Sequence, residues 1–334
     1  MLISVGCTKS PEEILKINNG LLNAAYSGSV LQVKSWLYDG ADPNARDSNQ
    51  KTALILAVKG NHASSVNILI DKGADVNLTD NERSTALLYA AILGNTSIIQ
   101  SLLNNKAEIE AKNLAGNTAL ILAALNGKNE AIKILLDMGA HFDTMNDSGR
   151  TALMIAADKE NEFAVKMLLE KGADTNLKDN NSETAYEIAA KANKSNVMQL
   201  FLEKASKIND NDFVWASCNG KAETVTLLLE KGVLSRVQAH CPAEALHCAA
   251  HSGHVSVVQA LLKYGVSINV LGSSGETALT SAVIGNRLEI VQFLITKGAD
   301  VNVVPKSGKT ALLTAQVEGR DQMVRILKKA GAVR

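Results

Sequence analysis

The sequence predicts an all-α repeat solenoid, in which helix–turn–helix units pack side by side in a row. The tripeptide Thr-Ala-Leu recurs every 33 residues, beginning at Thr52, Thr85, Thr118 and Thr151, and it returns at Thr277 and Thr310. A glycine stands 21 residues after many of these anchors, as at Gly73, Gly139, Gly172, Gly298 and Gly331. We count ten repeats, anchored at residues 19, 52, 85, 118, 151, 184, 211, 244, 277 and 310.

Residues 85–117 show how one unit is built. Thr85 is a suitable N-cap for a first helix, whose apolar residues are Ala86, Leu87, Ala90 and Ala91. A second amphipathic helix follows Gly94, with apolar residues at three- and four-residue spacing: Ile98, Ile99, Leu102 and Leu103. A polar, turn-rich segment leads to the next cap. Because no unit can bury its own apolar face, neighbouring units must stack.

This pattern resembles the ankyrin repeat over residues ~19–334. The resemblance rests on the 33-residue period and on Thr-Ala-Leu, Ala-Ala, Gly-His or Gly-Asn, Leu-Leu and Gly-Ala-Asp-x-Asn. Ala replaces the proline of the family's usual Thr-Pro-Leu-His, so the pre-set φ at the first helical position is lost. The resemblance implies a curved solenoid whose concave face, made of β-hairpin fingers and inner helices, binds proteins.

One irregularity suggests a division of the chain. The step from Thr184 to Asn211 is 27 residues, and only residues 206–210 remain of the loop between them. We predict a seam between repeats six and eight, and three segments: 1–18 (tail and capping segment), 19–205 (repeats 1–6) and 206–334 (repeats 7–10). A decayed repeat that still stacks explains the short loop most simply. A hinge between two binding segments is the alternative.

Composition and charge argue against several function classes. Lys and Arg total 34, as do Asp and Glu, and this zero net charge disfavours nucleic acid as a partner. No stretch of ~18 apolar residues predicts a transmembrane helix. Ser307 to Thr310 resembles the end of a phosphate loop, but Val303 stands where that motif needs a glycine. We therefore predict a monomeric, non-enzymatic scaffold without a cofactor.

The N-terminus allows two interpretations. An apolar run that ends in Gly6-Cys7 resembles the end of a bacterial lipoprotein signal, in which the cysteine is lipidated. The run is shorter than the ~7–15 residues of such a signal and lacks a basic region before it. This interpretation predicts a periplasmic or lipid-anchored envelope protein that tethers or protects a partner. An ordinary flexible N-terminus predicts a cytoplasmic protein that contacts no membrane.

The cysteines and histidines allow a site of another class, a metal site. The four cysteines are interpreted as free thiols, because a stacked core of this length needs no disulfide: Cys7, Cys218, Cys241 and Cys248. A metal-dependent module at residues 240–254 would use His240, Cys241, His247 and His251. The favoured interpretation assigns no metal, because the resemblance gives His247 and His254 framework roles in which they bond to the backbone.

The resemblance also places the partner-binding residues. They precede each cap or follow it by seven or eight positions, and the best candidates are Ile92, Leu93, Leu114, Leu125, Asn126, Met145, Arg150, Asp158 and Lys159. The apolar members stand where a solvated face should be polar, which is typical of an interaction site. Partial cover of the leucines by adjacent loops is the alternative.

Overall fold

The structure is a computed structural model that describes residues 9–192, 194–204, 210–273, 275–306 and 308–333. Within these ranges the chain forms twenty α-helices, one 3₁₀ helix and a single isolated antiparallel bridge between Arg46 and Thr52. The chain divides into two compact units, unit 1 (Met1–Thr184) and unit 2 (Ala185–Arg334). This helical architecture confirms the predicted helix–turn–helix fold class.

Unit 1 contains five helix pairs. Their bounds are α1 Pro11–Ser27, α2 Val30–Tyr38, α3 Ala53–Lys59, α4 Ala63–Asp71, α5 Ala86–Leu93, α6 Thr96–Asn104, α7 Ala119–Leu125, α8 Asn129–Asp137, α9 Ala152–Asp158 and α10 Glu162–Glu170. The first helix begins at Pro11, and Ser10 and Glu13 form a capping box at its start. It continues through residue 19, so the first pair lacks the regular unit's threonine cap.

Unit 2 contains five further pairs. Their bounds are α11 Ala185–Lys191, α12 Ser195–Lys204, α13 Asp210–Cys218, α14 Ala222–Glu230, α15 Cys241–Ser252, α16 Val255–Lys263, α17 Ala278–Ile284, α18 Leu288–Thr296, α19 Ala311–Val317 and α20 Asp321–Lys329. A 3₁₀ helix, Val233–Ser235, lies before α15. α15 begins three residues before the anchor slot at Glu244, with Pro242 in its first turn.

The threonine anchors act as the predicted helix caps. The Thr85 hydroxyl accepts a hydrogen bond from the Leu88 amide at 3.4 Å, and the same cap recurs at Thr52, Thr118, Thr151, Thr277 and Thr310. The adjacent alanines are fully covered, and Ala90 is 0% exposed. Within unit 1, α5 packs against α3 and α7, while α6 packs against α4 and α8. The core therefore runs along the row of pairs, as predicted.

In the loops of unit 1, a side-chain oxygen accepts hydrogen bonds from two backbone amides of the same loop, an arrangement that we call the loop cap. Asp80 Oδ1 accepts hydrogen bonds from the amides of Glu82 at 2.9 Å and Ser84 at 3.0 Å. Four further residues at 33-residue spacing do the same in their own loops: Asp47, Asn113, Asn146 and Asp179. Neighbouring loop tips are joined by main-chain bonds, as from the Leu114 amide to the Glu82 carbonyl at 3.0 Å. The predicted β-hairpin character of these loops remains a prediction.

The predicted seam and hinge also remain predictions. Most of the short loop at residues 206–210 lies outside the described residues, as does Cys7. In the described part of the chain, no helix combines the length and the apolar character that crossing a membrane requires.

Candidate partner-binding surface

In unit 1, the ends of the first helices and the loop tips enclose a groove, which we call the unit 1 groove. Its volume is about 610 Å³. The helices contribute Leu125, Ile155, Asp158 and Lys159, and the loops contribute Asn146, Asp147, Ser148, Arg150, Asn180 and Asn181. We call the surface formed by first helices and loop tips the inner face. The groove exists because each loop returns beside the first helix that it precedes.

The structure brings four predicted partner-binding residues into this groove: Leu125, Arg150, Asp158 and Lys159. The other five lie outside its lining. Of these, Leu93, Leu114 and Asn126 are exposed, whereas Ile92 and Met145 are half-buried. Four of the predicted residues thus lie together in one groove, whereas Ile155 and the loop asparagines of its lining were not among the predicted residues.

Three leucines of this region remain accessible. Leu93 at the end of α5 is 40% exposed, Leu125 at the end of α7 is 38% exposed, and Leu114 on the loop between them is 60% exposed. The adjacent loops thus leave more than a third of each side chain open to solvent. An accessible apolar group beside polar loop tips resembles the apolar centre and polar rim of an interaction surface.

A fixed cation forms part of the groove wall. Arg150 Nε lies 3.3 Å from Asp179 Oδ2, and its Nη1 lies 3.4 Å from Asp158 Oδ2. The Asp179 side chain is 1% exposed. Burial raises the pKa of this carboxyl, but the Glu183 and Asn181 amides together with Arg150 outweigh burial, so the pKa lies below its ordinary 3.8. Asp179 is therefore charged at neutral pH and holds Arg150 in place.

A second contact on the inner face was missed by sequence reasoning. Lys59 Nζ lies 4.4 Å from the centre of the Tyr89 ring, whose hydroxyl donates to Asp80 Oδ2 at 2.7 Å. Burial, followed by the Asp80 hydrogen bond and charge, raises the pKa of Tyr89. Lys59 stands seven residues after its anchor and Tyr89 four after the next. A 30-residue spacing between these two positions is the signal that could have found the pair.

The same spacing corrects the cysteine prediction. Cys218 on α13 and Cys248 on α15 are disulfide-bonded, with an S–S distance of 2.07 Å and a Cα–Cα distance of 4.9 Å. The interpretation of both as free thiols was wrong, because positions seven and four of adjacent repeats face each other. Cys241 is buried and lies outside the disulfide, as predicted.

A corresponding groove in unit 2, the unit 2 groove, has a volume of about 530 Å³. It is lined by Val214, Cys218, Glu244, His247, Cys248, His251, Gly272, Ser273, Glu276, Ser281 and Ile284. The disulfide therefore lies on the inner face of unit 2.

The histidines have the framework role that the resemblance implied. His247 Nε2 donates to the Val270 carbonyl at 2.9 Å, His254 Nε2 to the Cys218 carbonyl at 2.9 Å, and His62 Nε2 to the Tyr26 carbonyl at 3.0 Å. Burial lowers the pKa of His247 and outweighs the Val270 bond and the carboxylates of Glu276 and Glu244. Hence His247 is neutral at pH 7, and one of its ring nitrogens is already used.

The candidate metal ligands do not converge. His240 Nε2 lies 3.8 Å from Cys241 Sγ and 3.9 Å from Glu244 Oε2. Among the described residues, no three His, Cys, Asp or Glu side chains form a group that could hold a metal ion.

A family model that describes three consecutive ankyrin repeats matches four segments of the chain, residues 21–113, 98–179, 120–212 and 213–305. The matched span, residues 21–305, is shorter than ten 33-residue periods, so the predicted count of ten is somewhat high. A search of curated proteins found no match. Ankyrin repeats are generally protein–protein interaction modules and typically non-enzymatic.

Proposed function

Since the chain belongs to the ankyrin-repeat family, we propose that it is a non-enzymatic scaffold that binds a partner protein through the inner face of unit 1. The observation that carries this proposal is the unit 1 groove, which joins accessible Leu125 to the fixed Arg150 and to Lys159. An apolar anchor between ordered charges suits a partner that presents an apolar side chain flanked by polar groups.

The affinity would come from the leucines. Leu93 and Leu125 keep about two fifths of their surface exposed. Covering this exposed apolar surface contributes about 1 kcal/mol for each leucine, at about 25 cal/mol per Å² of apolar area. Leu114 adds a third apolar contact from the loop, and the three together favour binding without a deep cavity.

The loops lose little freedom on binding because they are ordered beforehand. Each tip is held by an aspartate or asparagine side chain and by a main-chain bond to the next tip, as from the Asp147 amide to the Ala115 carbonyl at 3.2 Å. Immobilising a flexible side chain or loop costs about 0.5–1.5 kcal/mol per side chain in other interfaces. The ordered inner face avoids much of that cost.

A second candidate is the envelope protein in which lipidated Cys7 tethers or protects a partner. One observation favours it, since disulfides such as Cys218–Cys248 persist mainly in oxidising compartments. It uses the same inner face and differs only in location. The metal-dependent module at residues 240–254 gains no support from the contacts of its described residues.

The test places a photo-crosslinking amino acid at Leu93, at Leu125 or at Leu31. Leu31 on α2 is 81% exposed and lies on a second helix of the same unit, so it is the matched control. We expect one protein to crosslink at Leu93 and Leu125 but not at Leu31.

The captured protein then serves as the probe in an affinity measurement. We expect Leu93→Asp with Leu125→Asp to weaken its binding about 100-fold or more, because two carboxylates would be buried without partners. Leu31→Asp should leave the affinity and the helical content unchanged. Unchanged affinity in the double variant would remove this surface from the account.

A further inference from the structure

We propose that Cys218 and Cys248 form a thiol–disulfide exchange site, at which an external dithiol reversibly opens a covalent link between two helix pairs. The bond joins α13 to α15, the first helices of neighbouring pairs. The residues seven positions after one anchor and four positions after the next also lie close together elsewhere in the chain, without a covalent bond. Lys59 stacks on Tyr89 at these positions, and Leu125 and Ile155 line one groove at the same positions of two later repeats.

The disulfide can be reached from solvent. Both cysteines are half-buried and line the open unit 2 groove, together with exposed His251. Cys241 is the contrast within the same helix, because it is 1% exposed and does not line the groove. A small dithiol can therefore approach the Cys218–Cys248 sulfurs but not the Cys241 thiol.

The Cys218–Cys248 bond lies next to a loop that lacks the aspartate or asparagine cap of the unit 1 loops. Five residues before each threonine anchor, unit 1 has an aspartate or asparagine, whereas unit 2 has Ala239, Gly272 and Pro305 before the anchors at 244, 277 and 310. None of these three side chains can accept a hydrogen bond. The loop before α15 instead forms the 3₁₀ helix Val233–Ser235. The disulfide thus links two pairs whose connecting loop lacks the side-chain cap.

The exchange is a two-step transfer. A thiolate of the dithiol attacks one cysteine sulfur, the S–S bond breaks, and its electron pair leaves on the other sulfur, which takes a proton from water. The second thiolate of the dithiol then attacks the mixed disulfide. This releases the second cysteine thiol and leaves the reagent as its own disulfide. In total, two electrons and two protons pass from the dithiol to the protein.

Thiol counting on the full chain is the first test, with dithiothreitol as the probe. The oxidised protein should show two fewer reactive thiols in denaturant than its four cysteines. Native treatment with dithiothreitol should restore both, and peptide mapping should place the new thiols at Cys218 and Cys248. Four thiols after oxidation, or reduction only in denaturant, would overturn the proposal.

Thermal melting gives the second readout. The bond closes a loop of 30 residues, so its reduction should lower the midpoint by about 10 °C, and re-oxidation should reverse the change. Cys241→Ser should keep this response. The double variant Cys218→Ser with Cys248→Ser should melt like the reduced protein and ignore dithiothreitol. Equal midpoints for oxidised and reduced wild type would contradict a link between the helix pairs, and this comparison needs no variant to fold.

Discussion

Unit 1 and unit 2 each have a helical core of the same kind, but their loops are ordered by different contacts. Leu87 and Leu246, each two residues after an anchor, are both fully buried, and the alanines beside them are equally covered. The loop position five residues before the anchor separates the units. It is Asp47, Asp80, Asn113, Asn146 and Asp179 in unit 1, and Ala239, Gly272 and Pro305 in unit 2.

Unit 2 replaces the missing cap with contacts from a first helix. His247 on α15 bonds to the Val270 carbonyl of the next loop at 2.9 Å. A Cβ at Gly272 would lie 2.4 Å from His247 Nδ1, so an aspartate at residue 272 would require the His247 ring to shift. Stacking therefore depends on the helices in both units. A loop is held in place either by a side chain of its own or by a side chain from the first helix of the preceding pair.

The largest expected effect tests the shared core. Leu87→Ala and Leu246→Ala each remove a fully buried side chain, and each should lower the free energy of unfolding by about 3 kcal/mol. Denaturant unfolding monitored by circular dichroism measures both. Similar losses would support equal cores, whereas a loss under 1 kcal/mol in either variant would show that its unit does not pack as described.

The second prediction separates the two roles of Asp179, which caps its loop through hydrogen bonds and carries the charge that faces Arg150. Asp179→Ala leaves the Asn181 and Glu183 amides without their acceptor and should cost about 2 kcal/mol of unfolding free energy. Asp179→Asn should cost about half as much, because Asn113 and Asn146 perform the same capping in their own loops. Equal costs for the two variants would mean that the bond to Arg150, rather than the cap, supplies the stability.

The third prediction concerns pH. The folded pKa of His247 lies below its ordinary 6.5, so as pH falls below 6.5 the unfolded chain takes up a proton that the folded chain does not. The protonation of His247 in the unfolded chain therefore lowers the free energy of unfolding as pH falls from 6.5 to the folded pKa of His247. The folded pKa of Asp179 is also lowered, from its ordinary 3.8, so Asp179 reduces the free energy of unfolding only as pH falls below 3.8.

Unfolding free energies at pH 7.5 and pH 5.5 test this difference between the units. The wild type should lose more stability over this interval than His247→Gln. The control His141→Gln, which changes an exposed histidine of unit 1, should match the wild type. A wild-type loss no larger than that of His247→Gln would contradict the burial of this imidazole.

The sequence predicted the features within each repeat, but it did not predict the side-chain contacts between adjacent repeats. The Thr-Ala-Leu anchors predicted the caps and first helices, because a hydroxyl before an apolar run is a local signal. The Cys218–Cys248 bond and the Lys59–Tyr89 contact depend on which positions of adjacent repeats face each other. That register becomes visible only when residues 30 apart are compared.

The site was predicted in part for the same reason. Leu125, Arg150, Asp158 and Lys159 follow from position within a repeat, and they line the unit 1 groove. Asn180 and Asn181 belong to the next loop, whose tip lies beside the groove only after stacking. α1 begins at Pro11 behind the Ser10 cap, and α15 begins at Cys241 with Pro242 in its first turn, so both starts depart from the 33-residue period.

Amide hydrogen exchange of the free protein tests the central claim most directly, namely that the loops of unit 1 are ordered before any partner binds. The amides that donate to Asp80 and Asn146, at Glu82, Ser84, Ser148 and Arg150, should exchange more slowly than those in the loops that contain Ala239 and Gly272. Rapid exchange at those four amides, equal to that of the unit 2 loops, would contradict the account.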